Sequence, residues 1–308
     1  MSHPERDTPA LHGVYPILPT PFLDDGSLDV PSLERLIDYQ RQVGVHGVAI
    51  LGFMGEAHKL SEAERATVVR TVVERAGTDL AVWVGVRALG TAGTVEQAVA
   101  AEQAGASAVF VAPVEPQNDE ALYRHFRTVA ESISIPVVLH DYPASFGLTL
   151  SVDLVARLAR DGFAPYIKAE DPPVLQKMTQ VLQKSGGTIG VFGGLGGTYF
   201  LEELQRGAVG IMTGLAYPEV LLTIYDRFRE GDVRGATEAF DRFIPYIRYE
   251  FQPKIGLAYR KQIYHRRGLF TSTHVRAPGL QIDEASRDEL EAILTRVGLP
   301  LGPGVAEI

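Results

Sequence analysis

IPVVLHDYPASFGLTLSVDLVARLARDGFAPYIKAED, residues 135–171, holds two short apolar runs, 135–140 and 164–168, with a helical segment opening at Ser151 between them. Each run ends in polar residues: His140, Asp141 and Tyr142 after the first, Lys168 and Glu170 after the second. A strand reads as continuously apolar when both of its faces are buried, as in a parallel sheet covered by helices. The same unit recurs on either side of this stretch. Apolar runs rich in Val and Ile lie at 13–18, 47–51, 81–86 and 107–112 before it and at 188–192 and 208–212 after it, which makes eight candidate strands. The spacers carry helical periodicity, as in Leu33, Leu36, Ile37 and Gln40 or in Ala121, Phe126, Val129 and Ala130. Ser61 followed by Glu64 is a capping box, and Asp119 and Ser151 stand at similar helix starts.

Eight repeated βα units fit either an open doubly wound sheet or a closed barrel. Without a clear Gly-rich dinucleotide fingerprint the barrel is favoured, so the expected fold class is α/β, a (β/α)8 TIM barrel with a C-terminal helical extension. Past residue 216 the pattern is helical only, at 219–230, 234–248, 253–267 and 284–297. The first of these closes the barrel. The chain divides into an N-terminal tail at 1–10, the barrel at 11–231 and the extension at 232–308 packed on it, with no linker to split it into separate domains.

The composition narrows the function. With 308 residues and 45% hydrophobic content the chain can bury a large core, and a net charge of −9 offers no broad positive field to nucleic acid. There is no cysteine, hence neither disulfides nor thiolate metal ligands. The longest apolar stretches, such as 133–139 and 208–216, are far short of a membrane span, and Met1–Pro9 lacks the apolar core of a signal peptide. A soluble, cytoplasmic protein is expected, acting on a small molecule.

In such a barrel the chemistry sits at the C-terminal ends of the strands. The polar or Gly-rich candidates there are Gly52, Phe53, Met54, Gly55 and Glu56 after strand 2, Arg87 after strand 3, His140 and Tyr142 after strand 5, Lys168 and Glu170 after strand 6, and Gly193 and Gly194 after strand 7. Lys168 ends the apolar segment 163–167, so pointing inward it would lose solvation, and its pKa would fall toward neutrality, making it an amine nucleophile; pairing with Glu170 or Asp171 is the structural alternative. Along a strand, His140 and Tyr142 face one way and Asp141 the other. Arg87 reads as a carboxylate clamp or as an ion-pair partner of Glu56 or Glu115. The Gly-rich turn either admits a phosphate or lets the backbone pass close to a neighbour. His46, His58 and His125 are expected on helix or loop surfaces, without metal-ligand spacing.

YPILPTPFLDDGSLD (15–29), GFMGEAHKLSEAER (52–65), LHDYPASFG (139–147), YIKAED (166–171) and the helical tail, together spanning about residues 11–300, occur in the order found in the dihydrodipicolinate synthase and N-acetylneuraminate lyase family, which the chain resembles. That resemblance implies a class I lyase in which Lys168 forms a Schiff base with a 2-keto acid, needing no metal and no organic cofactor, in a homotetramer built from dimers. The chain departs from the family pattern in several places. Where the family carries two hydroxyl residues after strand 2, here stand Phe53 and Met54, so that substrate carboxylate binding falls to backbone N–H groups or to other residues. His140 takes the place of the catalytic tyrosine, Ser145 that of an arginine found in synthases, and Val114 and Glu115 those of a tyrosine pair on strand 4. DYPAS (141–145), IKAEDPP (167–173) and GIMTG (210–214) are similar to the L-2-keto-3-deoxyarabonate dehydratase branch.

The expected function is dehydration or aldol cleavage of a 2-keto-3-deoxy sugar acid. The alternatives are a dihydrodipicolinate synthase-like or other pyruvate aldolase, and a non-catalytic keto-acid-binding or regulatory protein on an aldolase scaffold. His140 reads either as a general acid or base or as a barrel-rim histidine hydrogen-bonded to Asp141 or a backbone carbonyl; as proton relay, His140 or Tyr142 would replace the missing tyrosine, with a pH limb at roughly 6 to 7 for the imidazole and nearer 10 for the phenol.

Overall fold

A computed structural model describes residues 11–88, 90–113 and 118–308. Eight parallel strands form one sheet: β1 Gly13–Pro16, β2 Gly47–Ile50, β3 Ala81–Val86, β4 Ala108–Val111, β5 Val137–Asp141, β6 Tyr166–Ala169, β7 Gly190–Gly193 and β8 Gly210–Thr213. From β2 to β8 each strand pairs with its sequence neighbour, and β8 pairs in turn with β1. A parallel bridge between Ile17 and Ala49, with the Leu18 N–H donating to the Ala49 carbonyl at 2.8 Å, brings the two edges together. The result is the (β/α)8 barrel that the eight apolar runs predict.

Side-chain alternation sorts each strand into two cores. Tyr15, Trp83, Val138, Tyr166, Phe192 and Met212 fill the barrel interior, whereas Val14, Val82, Val137, Ile167, Val191 and Ile211 face the helices. The interior is closed by an aromatic plug in which Tyr15 stacks on Trp83 at 4.1 Å and Phe192 meets both edge-on. Counting two residues onward along β5 from Val138 and along β6 from Tyr166 places His140 and Lys168 on the interior side, above this plug.

The helical tail matches its expected segments closely: Pro218–Arg229, Val233–Glu250, Gly256–Arg266 and Glu284–Val297. Buried ion pairs fasten it to the barrel. Arg267 holds Glu219 at 2.9 Å, and Arg260 holds Glu250 at 2.7 Å while donating to the Gly214 carbonyl at 2.6 Å. The capping box of Ser61 and Glu64 forms as expected, and Ser151 caps its helix; at the helix Asp119–Glu131 the cap is Asn118, one residue before the expected Asp119. The expected tail at 1–10 and the strand 4 positions Val114 and Glu115 lie outside the described residues. Among the described residues no helix is long and apolar enough to cross a membrane.

Candidate active site

At the C-terminal end of β6 the Lys168 side chain is 4% exposed. Its Nζ lies against Glu170 Oε2 and 3.2 Å from His140 Nε2, and His140 Nε2 is itself 3.2 Å from Glu170 Oε2. Register explains the meeting, since His140 on β5 is paired directly with Lys168 on β6. Glu170 is held from its other side by the Leu195 N–H, which donates to Oε1 at 2.9 Å.

Burial would raise the Glu170 pKa, but the Lys168 ammonium and the His140 hydrogen bond overcome it and bring it down to about 2. The same burial, reinforced by the Lys168 charge, lowers the His140 pKa to about 4. His140 is therefore a neutral imidazole across the neutral range. The expectation of a His140 limb at roughly 6 to 7 is corrected by its burial beside a cation. Tyr142 follows the strand parity: its ring lies parallel to His140 with centroids 6.2 Å apart, and Lys168 Nζ is 5.9 Å from its centroid. Burial, and then the Glu170 charge, raise its phenol further above the usual value. Asp141 faces the opposite way, toward Lys177 at 2.6 Å.

A cavity of about 360 Å³ opens beside this cluster, its lining including His140, Phe146, Phe53, His58, Arg65 and Arg87. Lys168 is not part of its wall and reaches it through His140. Arg87 is exposed at the mouth, its guanidinium 4.7 Å over the Phe146 ring, and among the described residues it makes no ion pair. Gly52 lines the cavity, and Phe53 stacks on His58 at 4.8 Å. Met54 packs instead against the interior core, and the Gly55 carbonyl accepts the Thr20 hydroxyl at 2.6 Å.

Glu56, expected to face substrate, does not. Its carboxylate is fully buried and takes Lys261 Nζ at 2.5 Å, Lys59 Nζ at 2.8 Å and the Arg276 N–H at 3.1 Å. An uncompensated buried carboxylate is costly, so these donors direct it to the tail segment rather than to the cavity. Glu56 also has a φ of 54°, and Leu51 and Leu195 share that left-handed conformation. Such strain is tolerated where surrounding contacts over-determine the backbone, and these three positions flank the site.

The Gly-rich turn is filled by protein and not by space for a phosphate. A Cβ at Gly194 would collide with the Glu170 side chain, and one at Gly193 with Glu203. Sequence reading missed four residues. Arg65 and Phe146 join the cavity wall, and His58, exposed as expected, stands at that wall too. Glu203 is buried directly behind the turn. Arg65 sat inside the quoted string 52–65, but nothing in that string tells which way the first turn of its helix points. His125, also expected on a surface, is buried and bonded to the Thr91 hydroxyl at 3.0 Å. Among the described residues no group of three or more His, Asp or Glu is placed to hold a metal ion.

The model of the dihydrodipicolinate synthetase family matches residues 10–297. The chain belongs to that family. Lyase chemistry comes with membership. Within it, the chain is 29% identical to an L-2-keto-3-deoxyarabonate dehydratase from Azospirillum brasilense, over 94% of this chain and 96% of that one. It is 30% identical to a 4-hydroxy-tetrahydrodipicolinate synthase from Methanothrix thermoacetophila, over 92% and 96% respectively. Among solved structures, a dihydrodipicolinate synthase from Rhodopseudomonas palustris superposes with a TM-score of 0.88 at 36% identity, covering 94% of this chain and 98% of that one.

Proposed function

We propose that Lys168 condenses with the C2 ketone of a 2-keto acid and that the substrate is a 2-keto-3-deoxy sugar acid, which the enzyme dehydrates. The observation that carries this reading is the buried contact of Lys168 Nζ with His140 and Glu170 at the barrel's catalytic end, beside a cavity of small-molecule size. The neutral amine of Lys168 attacks C2, the ketone oxygen takes up protons and leaves as water, and an iminium remains. A base then removes a C3 proton to give an enamine, whose electron pair expels the C4 hydroxyl as a second water formed with the proton the base returns, and water finally hydrolyses the imine to free the Lys168 amine. His140 Nε2 and Glu170 Oε2 are the acceptors already within reach of Nζ, and either can take the proton. Tyr142 is the second candidate relay. The two guanidinium groups of the cavity, Arg87 foremost, bind substrate carboxylate in place of the absent hydroxyls, together with the backbone at Gly52 and Phe53.

The dehydratase relative supports loss of water from C3–C4. The synthase relative supports the other fate of the same enamine chemistry, C3–C4 bond making or breaking; Ser145 and His140 stand against it, since the synthase arginine and tyrosine are both missing. The family resemblance carries two further parts of the proposal, a homotetramer and a cytoplasmic setting.

Borohydride reduction with pyruvate, and then with a panel of 2-keto-3-deoxy sugar acids, tests the imine. A covalent adduct is expected by intact mass in the native enzyme and in neither Lys168→Ala nor Lys168→Arg, because a guanidinium stays protonated and cannot attack a ketone. An adduct on the Ala variant would move the nucleophile to another lysine.

A further inference from the structure

Glu203, on the short helix Phe200–Gln205, is 1% exposed, and neither of its carboxyl oxygens meets a side-chain donor, the Gly194 N–H being the group that faces it. It occupies the space that a side chain at Gly193 would need, on the helix side of β7, while Glu170 occupies the space of a side chain at Gly194 on the barrel side. Phe192 pointing into the barrel and Val191 pointing out confirm this parity. Two carboxyl groups thus flank one pair of glycines. Glu170 accepts from the Lys168 ammonium and the Leu195 N–H, whereas Glu203 has no cation and no side-chain donor, only the Gly194 N–H facing it.

Burying an ionised carboxylate with no cation beside it is costly enough that the group keeps its proton instead. We propose that Glu203 is a positioning residue, a neutral acid held behind the Gly193–Gly194 turn, whose lack of charge keeps Glu170 the carboxylate that holds and later releases the Lys168 amine. This rests on the imine reading given above. The charged groups that face Glu203 are Glu170 from β6 and its own neighbour Glu202, both acidic, and no cation from any packed element acts on it. Burial first, and then the Glu170 charge, raise its pKa to about 8. Above that pH a second negative charge appears behind the turn. The proton on the Lys168–Glu170 pair is then held more tightly, and the free amine needed for attack is withheld.

The test compares the intact enzyme with Glu203→Gln, which keeps the shape and cannot ionise. In protein labelled with carbon-13 glutamate, infrared spectra of the native enzyme at neutral pH should show a protonated carboxyl band that shifts with the label. That band should vanish as the pH rises through the titration of Glu203 and be missing from the variant. The rate of borohydride-trapped adduct formation with pyruvate should give a native-to-variant ratio that is flat at lower pH and falls severalfold above that titration. A merely structural role would leave the ratio independent of pH. A constant ratio, or no labelled protonated band at neutral pH, overturns the proposal. Absence of any adduct in the native enzyme at every pH would instead sink the imine reading, while the infrared band still decides the charge of Glu203. Should the variant fail to fold, the band and its titration in the native enzyme decide alone.

Discussion

The imidazole of His140 is uncharged at neutral pH, and so it accepts a proton or a hydrogen bond rather than donating charge to the site. If it relays the C3 proton, His140→Gln should lose on the order of 10²-fold in kcat while still forming the borohydride adduct. The acid limb of the native kcat/KM profile should then lie near 4, not in the range of a free histidine. Tyr142→Phe would show the loss instead if the phenol is the relay, with its limb above the usual tyrosine value. Near-native kcat in both variants leaves Glu170 as the proton acceptor. At this scale the sequence revealed position better than partnership. Lys168 and His140 are legible because each ends an apolar run, and strand alternation turns both inward. Glu203 is not, since the string Leu201-Glu202-Glu203-Leu204 reads as an ordinary acidic helix surface and only the glycines of the neighbouring strand leave room for it inside. Glu56 misled because its three donors include two from residues more than two hundred positions away in the chain.

The helix Glu62–Ala76 shows how a local signal gains a long-range duty. The Ser61 and Glu64 side chains cap its first turn, and Glu64 also receives both Arg276 terminal nitrogens, at 2.7 and 3.0 Å. The Arg276 hydrogen bond dominates in lowering the Glu64 pKa to about 2. A carboxylate with a depressed folded pKa contributes stability that is present above its unfolded value and lost as the pH falls through the folded one. Glu64→Gln should therefore lower the free energy of unfolding in denaturant at neutral pH by about 1 kcal/mol after allowing for partial exposure, and the gap from the native protein should close toward pH 2. A gap that does not change with pH would mean that the cap, not the charge, is what matters. The strands and the four tail helices were legible because continuous apolar runs and helical spacings are local signals. The part of the cavity wall formed by Arg65, His58 and Phe146 was not, because it depends on where these side chains emerge once the barrel has curved.

Across the whole molecule, the tail is tied to the barrel through buried charge. Arg267, almost fully enclosed, donates to Tyr39 at 2.6 Å, to the Ala216 and Gly304 carbonyls at 2.9 and 2.6 Å, and to Glu219. Removing one partner of such a pair strands the other, so Arg267→Ala should cost about 3–5 kcal/mol in urea unfolding. A loss below about 1 kcal/mol would show that water, the Tyr39 hydroxyl and the Ala306 N–H, the last two already donating to Glu219 at 2.7 and 2.9 Å, satisfy that carboxylate without the guanidinium. The aromatic plug gives the barrel its own optical signature. The chain's single tryptophan, Trp83, is fully enclosed there against Tyr15 and Phe192. Its emission is consequently a spectator of the barrel interior alone, blue-shifted while the plug is dry, whereas circular dichroism weighs every helix, those of the tail included. Recording both during unfolding separates detachment of the tail from opening of the barrel, with no label added to the protein.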